Sequence, residues 1–130
     1  MIVLADSTVF IHLDSNKSKM EKILLNLGIK QLYISQIGYL EILSGASENS
    51  KVYVRKILNS FQLLEFNAKA AKVASKLAMQ YRVGSKQHKD FLIASIAVAN
   101  KIPLLTENTK DFTYKELEVI PYSIQQKYDS

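Results

Sequence analysis

Apolar runs too short to be helices alternate along this chain with longer amphipathic segments, and that alternation restricts the folds open to it. Ile2–Ala5 is continuously apolar and reads as a buried strand. Further strand-like stretches are Leu32-Tyr33-Ile34, Phe61-Gln62-Leu63-Leu64-Glu65, Ile102-Pro103-Leu104-Leu105 and Val119-Ile120-Pro121. The last suits an edge, where proline is tolerated. Between them lie helix signals. Asp6-Ser7-Thr8 forms an N-cap ahead of Val9-Phe10-Ile11, and a helix over about Lys17–Leu27 ends at Gly28. Ser35 caps a helix reaching Gly45-Ala46, and another covers about Asn49–Ser60. Asn67 caps about Ala68–Tyr81, with Lys69, Lys72 and Lys76 on one face and Ala74, Leu77, Ala78 and Tyr81 on the other. Lys89–Asn100 is the last helix. The pattern predicts a three-layer α/β/α sandwich around a central, mainly parallel sheet. In such sheets, sites form at the carboxyl ends of the strands.

The 130 residues suffice for one domain, expected to span 1–130, with a real core. The absence of cysteine excludes disulfides, thiol catalysis and zinc–thiolate sites, and is compatible with the cytoplasm. No basic segment precedes the first apolar run, which breaks at Asp6, so neither signal peptide nor transmembrane helix is expected. The net charge of +5 is unevenly placed: residues 51–101 carry ten Lys and Arg against Glu65 and Asp90 alone. That imbalance suits a polyanionic substrate, although a solvated lysine-rich surface has the same composition.

Four acidic residues stand on or beside apolar segments: Asp6, Glu41, Asp90 and Asp111. Carboxylates are rarely set among buried residues without a partner. Each has an ordinary explanation: Asp6 as a helix cap, Glu41 at the border of an apolar arc, Asp90 on a helix beside Ala94 and Ala97, Asp111 as a loop charge. Brought together they would repel, and a divalent cation is the simplest way to hold them. Oxygen-only ligation of that kind suits Mg²⁺ or Mn²⁺.

Leu4-Ala5-Asp6-Ser7-Thr8, Ser35 through Glu41, Asp90-Phe91-Leu92-Ile93-Ala94-Ser95-Ile96-Ala97 and Leu104-Leu105-Thr106-Glu107-Asn108-Thr109-Lys110-Asp111-Phe112 occur in that order. Together they resemble the motifs of the PIN domains, and most closely of the VapC-type ribonuclease toxins of toxin–antitoxin pairs. The resemblance covers essentially the whole chain. It implies metal-assisted hydrolysis of RNA, with Asp6, Glu41, Asp90 and Asp111 as catalytic and metal-holding carboxylates. One departure matters: many family members place an acidic residue two positions after the threonine, where this chain has Asn108. Asp111 is the expected fourth carboxylate, with Asn108 holding water through its amide oxygen. Thr8 and Thr106 are expected to orient carboxylates or waters, or else simply to close local turns.

No Ser/His/Asp triad is evident, and His12 reads as a packed or surface histidine. Lys86, His88, Lys89 and Arg82 are candidate RNA contacts, with Arg55 a further candidate for phosphate or partner. The resemblance further implies a small antitoxin partner and a homodimer. Two other readings compete: a catalytically silent PIN-like module that binds RNA or protein, and a receiver-type phosphoacceptor domain. The second wants an acidic pair after the first strand and an aspartate after the third, which Asp6 alone and Leu63-Leu64-Glu65-Phe66 do not offer.

Overall fold

The computed structural model describes residues 1–125; positions 126–130 of the expected domain lie outside the described residues. Five strands form one parallel sheet: β1 (Ile2–Ala5), β2 (Gln31–Ser35), β3 (Gln62–Leu64), β4 (Leu104–Thr106) and β5 (Val119–Pro121), in the order β3-β2-β1-β4-β5. The hydrophobic runs explain the order. β1 and β4 are buried almost throughout and lie centrally, while β3 and β5 are partly exposed and take the edges. Pro121 thus falls on an edge strand.

Six helices cover the two faces: α1 (Ser7–Ser15), α2 (Lys17–Asn26), α3 (Gln36–Gly45), α4 (Lys51–Leu58), α5 (Ala68–Gln80) and α6 (His88–Asn100). Val3, Ala5, Ile34 and Leu105 point to one face, packed by Val9, Phe10, Met20, Ile23 and Leu58 of α1, α2 and α4. Leu4 and Leu104 point to the other, against Ala70 of α5 and Ile93, Ala94, Ile96 and Ala97 of α6. This alternation along β1 is the period-two pleat, and it divides the core into two layers. Helix α3 belongs to both: Ile37 packs on the second layer, Tyr39, Ile42 and Leu43 on the first.

Caps fix where the chain leaves the sheet. The Asp6, Ser35 and Asn67 side chains accept from the N–H groups of Ser7, Gly38 and Ala70. Gly38 is buried over its cap, and a Cβ there would meet the Ser35 hydroxyl at 3.2 Å. Gly28 closes α2 with φ +72°, a conformation other side chains rarely adopt.

The sequence expectations shift in a few places. β4 begins two residues later than expected and extends to Thr106, because Lys101 takes a left-handed conformation and the Ile102 N–H returns to the Ala97 carbonyl. Phe61 lies outside β3, its ring edge-on to Phe10 at 4.9 Å. Helix α4 starts at Lys51 and ends at Leu58, short of Ser60. Ala78 is exposed, because the buried stripe of α5 runs through Ala70, Ala74 and Leu77, and Ala78 stands one residue, about 100°, round from it. Asp111 ends a 3-10 turn over Thr109–Asp111.

Candidate active site

Asp6 leaves the carboxyl end of β1 and is only 4% exposed. Its backbone N–H donates to the Leu105 carbonyl at 3.0 Å, tying it to β4. The Ser7 N–H donates to Oδ1 at 2.7 Å, and the Thr106 hydroxyl donates to Oδ2 at 2.9 Å; the Thr8 hydroxyl lies farther off, at 3.4 Å. Thr106 is fully buried, and its oxygen accepts the Asn108 N–H at 3.0 Å. Its single proton is therefore committed to Asp6. Asn108 reaches the site through its backbone, while its residue is exposed.

The other three carboxylates come from separate elements above the same sheet edge. Glu41 projects from α3, Asp90 from the first turn of α6, and Asp111 from the turn after β4. Electrostatics shows that they share one environment. The Asp90 carboxyl is pushed up from 3.8 to about 6, first by burial and then by the charges of Asp6, Asp111 and Glu41, with Lys89 opposing. Asp6 is also raised, chiefly by burial; Thr106 and Ser7 pull it back, and Glu41 adds to the rise. Lys89 of α6 forms an ion pair with Glu41 across the gap to α3.

The four coupled carboxylates do not yet surround a point. Among the described residues, no three His, Asp or Glu side chains are grouped so as to hold a metal ion. The donors nevertheless fit a hard divalent cation in kind: they are all carboxylate oxygens, and their mutual repulsion, visible at Asp90, is what a cation relieves.

Arg82, Lys86 and His88 are exposed, and among the described residues none makes a side-chain hydrogen bond or ion pair. His88 leans on Phe91 with ring centroids 6.1 Å apart. Lys89 alone of this group contacts a carboxylate. Sequence reasoning missed Tyr122, buried just past β5. Its hydroxyl lies 2.8 Å from His12 Nδ1, and burial pushes that hydroxyl up to about 12. It also missed Glu107, which accepts the Ile124 N–H at 2.6 Å and ties the segment after β5 to the loop after Thr106. These contacts join residues 110 and 17 positions apart, and no local pattern announces them.

The PIN-domain family profile matches residues 3–116. The chain belongs to the PIN-domain family. This PIN domain is similar in fold to several solved structures. VapBC2 of Rickettsia felis, bound to a promoter DNA fragment, aligns with a TM-score of 0.76 at 20% identity, covering 95% of this chain and 100% of that one. A toxin–antitoxin complex from Klebsiella pneumoniae gives 0.74 at 26% identity, covering 92% and 98%. VapBC-1 of nontypeable Haemophilus influenzae gives 0.73 at 22%, covering 93% and 98%. No curated protein matches the chain. With family membership established, the receiver-type alternative is set aside; β3 ends at Leu64 without the aspartate such a domain needs.

Proposed function

We propose that this PIN domain is a cytoplasmic endoribonuclease dependent on Mg²⁺ or Mn²⁺, and the toxic component of a toxin–antitoxin pair. The observation that carries the reading is the coupling at Asp90. Burial, and then the charges of Asp6, Asp111 and Glu41 from three other elements, hold its proton up to about 6 at the carboxyl ends of β1 and β4. Asp6 and Asp90 would hold the cation, with Glu41 and Asp111 completing the site. A bound divalent cation supplies neutralisation of phosphate charge and acidifies water. The chain's own part is to orient the donors: Thr106 and the Ser7 N–H fix both oxygens of Asp6, and α6 presents Asp90 from its first turn.

The basic segment over residues 51–101 suits capture of an RNA backbone, with Lys86, His88 and Lys89 leading into the first turn of α6 that carries Asp90, and Arg82 in the loop before them. A partner is supported by an exposed apolar strip where α1 meets α4, including Ile11, Tyr53 and Ile57, of a kind that marks protein contacts. An antitoxin segment covering that strip agrees with the toxin–antitoxin complexes among the structural neighbours; the homodimer is proposed on the family resemblance alone. Among the described residues no helix is long and apolar enough to cross a membrane.

The silent-module reading has one observation in its favour, the absence among the described residues of a preformed three-residue metal group. Incubating the protein with single-stranded RNA in Mn²⁺, in Mg²⁺ and in EDTA separates the two. Cleavage that requires metal and disappears in Asp90→Asn is expected; cleavage undiminished in EDTA, or none under any condition, would sink the proposal.

A further inference from the structure

Among the described residues, the acidic site holds one cationic side chain in contact with a carboxylate, the Lys89 ammonium on Glu41. The pair bridges α6 and α3, and hydrogen bonding to Glu41 raises the Lys89 ammonium's affinity for its proton. Its position is inseparable from the site, because the next residue along the chain is Asp90. The contact also lies in solvent: the Lys89 side chain is 64% exposed and that of Glu41 is 32% exposed. Exposed ion pairs are weakly bound and readily exchanged. An ammonium is a single charge on a flexible four-carbon stem, so it can leave one anion for another without moving the helix. A divalent cation brings twice the charge to the same oxygens.

We infer that Lys89 competes with the divalent cation for Glu41 and, once displaced, carries its charge to a phosphate of the RNA substrate. One lysine would then serve two anions in turn: the carboxylate first, the phosphate after the metal has taken that carboxylate. The ordering would make metal and RNA bind cooperatively, since each removes an obstacle to the other. This rests on the metal-dependent ribonuclease reading given above.

The test uses the full chain and reads binding rather than turnover. Mn²⁺ affinity is measured by electron paramagnetic resonance for the wild type, Lys89→Met, Lys89→Arg and Lys86→Met. Methionine keeps the length and helix preference of lysine without its charge. Lys89→Met should bind Mn²⁺ up to about fivefold more tightly, the range an exposed pair allows. Lys89→Arg should stay near the wild type, and Lys86→Met should change less than twofold. Affinity for a single-stranded RNA oligonucleotide, read at saturating Mn²⁺ before cleavage proceeds, should fall severalfold in Lys89→Met. Unchanged or weaker Mn²⁺ binding by Lys89→Met, or an equal gain from Lys86→Met, would overturn the competition. Unchanged oligonucleotide affinity in Lys89→Met would overturn the exchange. A wild type that binds no Mn²⁺ would instead overturn the ribonuclease reading beneath both.

Discussion

The two sides of the acidic site are built on opposite principles. On the strand side, Asp6 is buried and both its oxygens are already held by fixed donors, one from α1 and one from β4. On the helix side, Asp90 and Glu41 are only partly buried and Asp111 is exposed; Glu41 is held by the exposed Lys89 ammonium, and Asp90 is perturbed by burial and by neighbouring charges. The strand side is positioned before any ligand arrives. The helix side keeps unresolved repulsion, tempered by one lysine, which a divalent cation would relieve. A site made only of the first kind would be rigid but indifferent to ions; one made only of the second would lack a fixed point from which to orient them.

The largest expected effects come from removing one charge on each side. Asp6→Asn and Asp90→Asn should both reduce RNA cleavage to background, measured with Mn²⁺ in excess. Asp6→Asn should lower the melting temperature by a few degrees at most, because its one amide oxygen keeps the Ser7 cap but leaves the Thr106 hydroxyl without its acceptor. Equal residual activity in both variants and the wild type would remove the basis for the comparison.

Thr106→Val tests the strand side without touching a carboxylate. It strips Asp6 of a donor and the Asn108 N–H of its acceptor. Metal affinity should fall about 10- to 100-fold, as for other groups that orient ligands. Stability should drop by about 1–3 kcal/mol in urea titration. Thr106→Ser should recover most of both.

The helix side should behave oppositely when its charge is removed. A carboxyl raised on folding binds its proton more tightly in the native state, so its stabilising contribution is full below 3.8 and lost as pH rises through about 6. In EDTA at pH 7, Asp90→Asn should therefore stabilise the fold. The full linkage is about 3 kcal/mol, which solvent screening of this partly buried group reduces to about 1 kcal/mol, or some 3–5 °C in melting temperature. The gain should vanish near pH 3.5. A melting temperature lowered at pH 7 would mean that burial and neighbouring charge do not disfavour the Asp90 carboxylate.

The smallest effects concern the loop after β4. Asp111→Asn should weaken Mn²⁺ binding a few fold, while Asn108→Ala, whose backbone N–H still reaches Thr106, should change it less. The reverse order would give Asn108 the fourth position.

The layers of the fold were readable because its strands are short apolar runs, and three of its caps, Asp6, Ser35 and Asn67, are side chains that declare themselves. The boundaries of β4 were not readable, because they depend on the left-handed turn at Lys101, a residue with no preference for it. The acidic residues were visible as charges among apolar neighbours. What they touch was not: the Thr106 hydroxyl meets Asp6 across 100 positions, Lys89 meets Glu41 across 48, and Tyr122 meets His12 across 110. Such pairings are made by strand order and helix placement, which residue patterns constrain only collectively.

The hydrogen bond between Thr106 and Asp6 has a consequence for the order of synthesis. A ribosome makes Asp6 first and its hydroxyl partner a hundred residues later. Until β4 has been translated and threaded beside β1, the first carboxylate has neither that donor nor the Leu105 carbonyl that fixes its backbone. Parallel pairing over such a distance forms late, since a long loop must close before any contact rewards it. Translation must therefore pass Thr106 before the site can assemble, and a chain stopped earlier would carry Asp6, Glu41 and Asp90 without their arrangement.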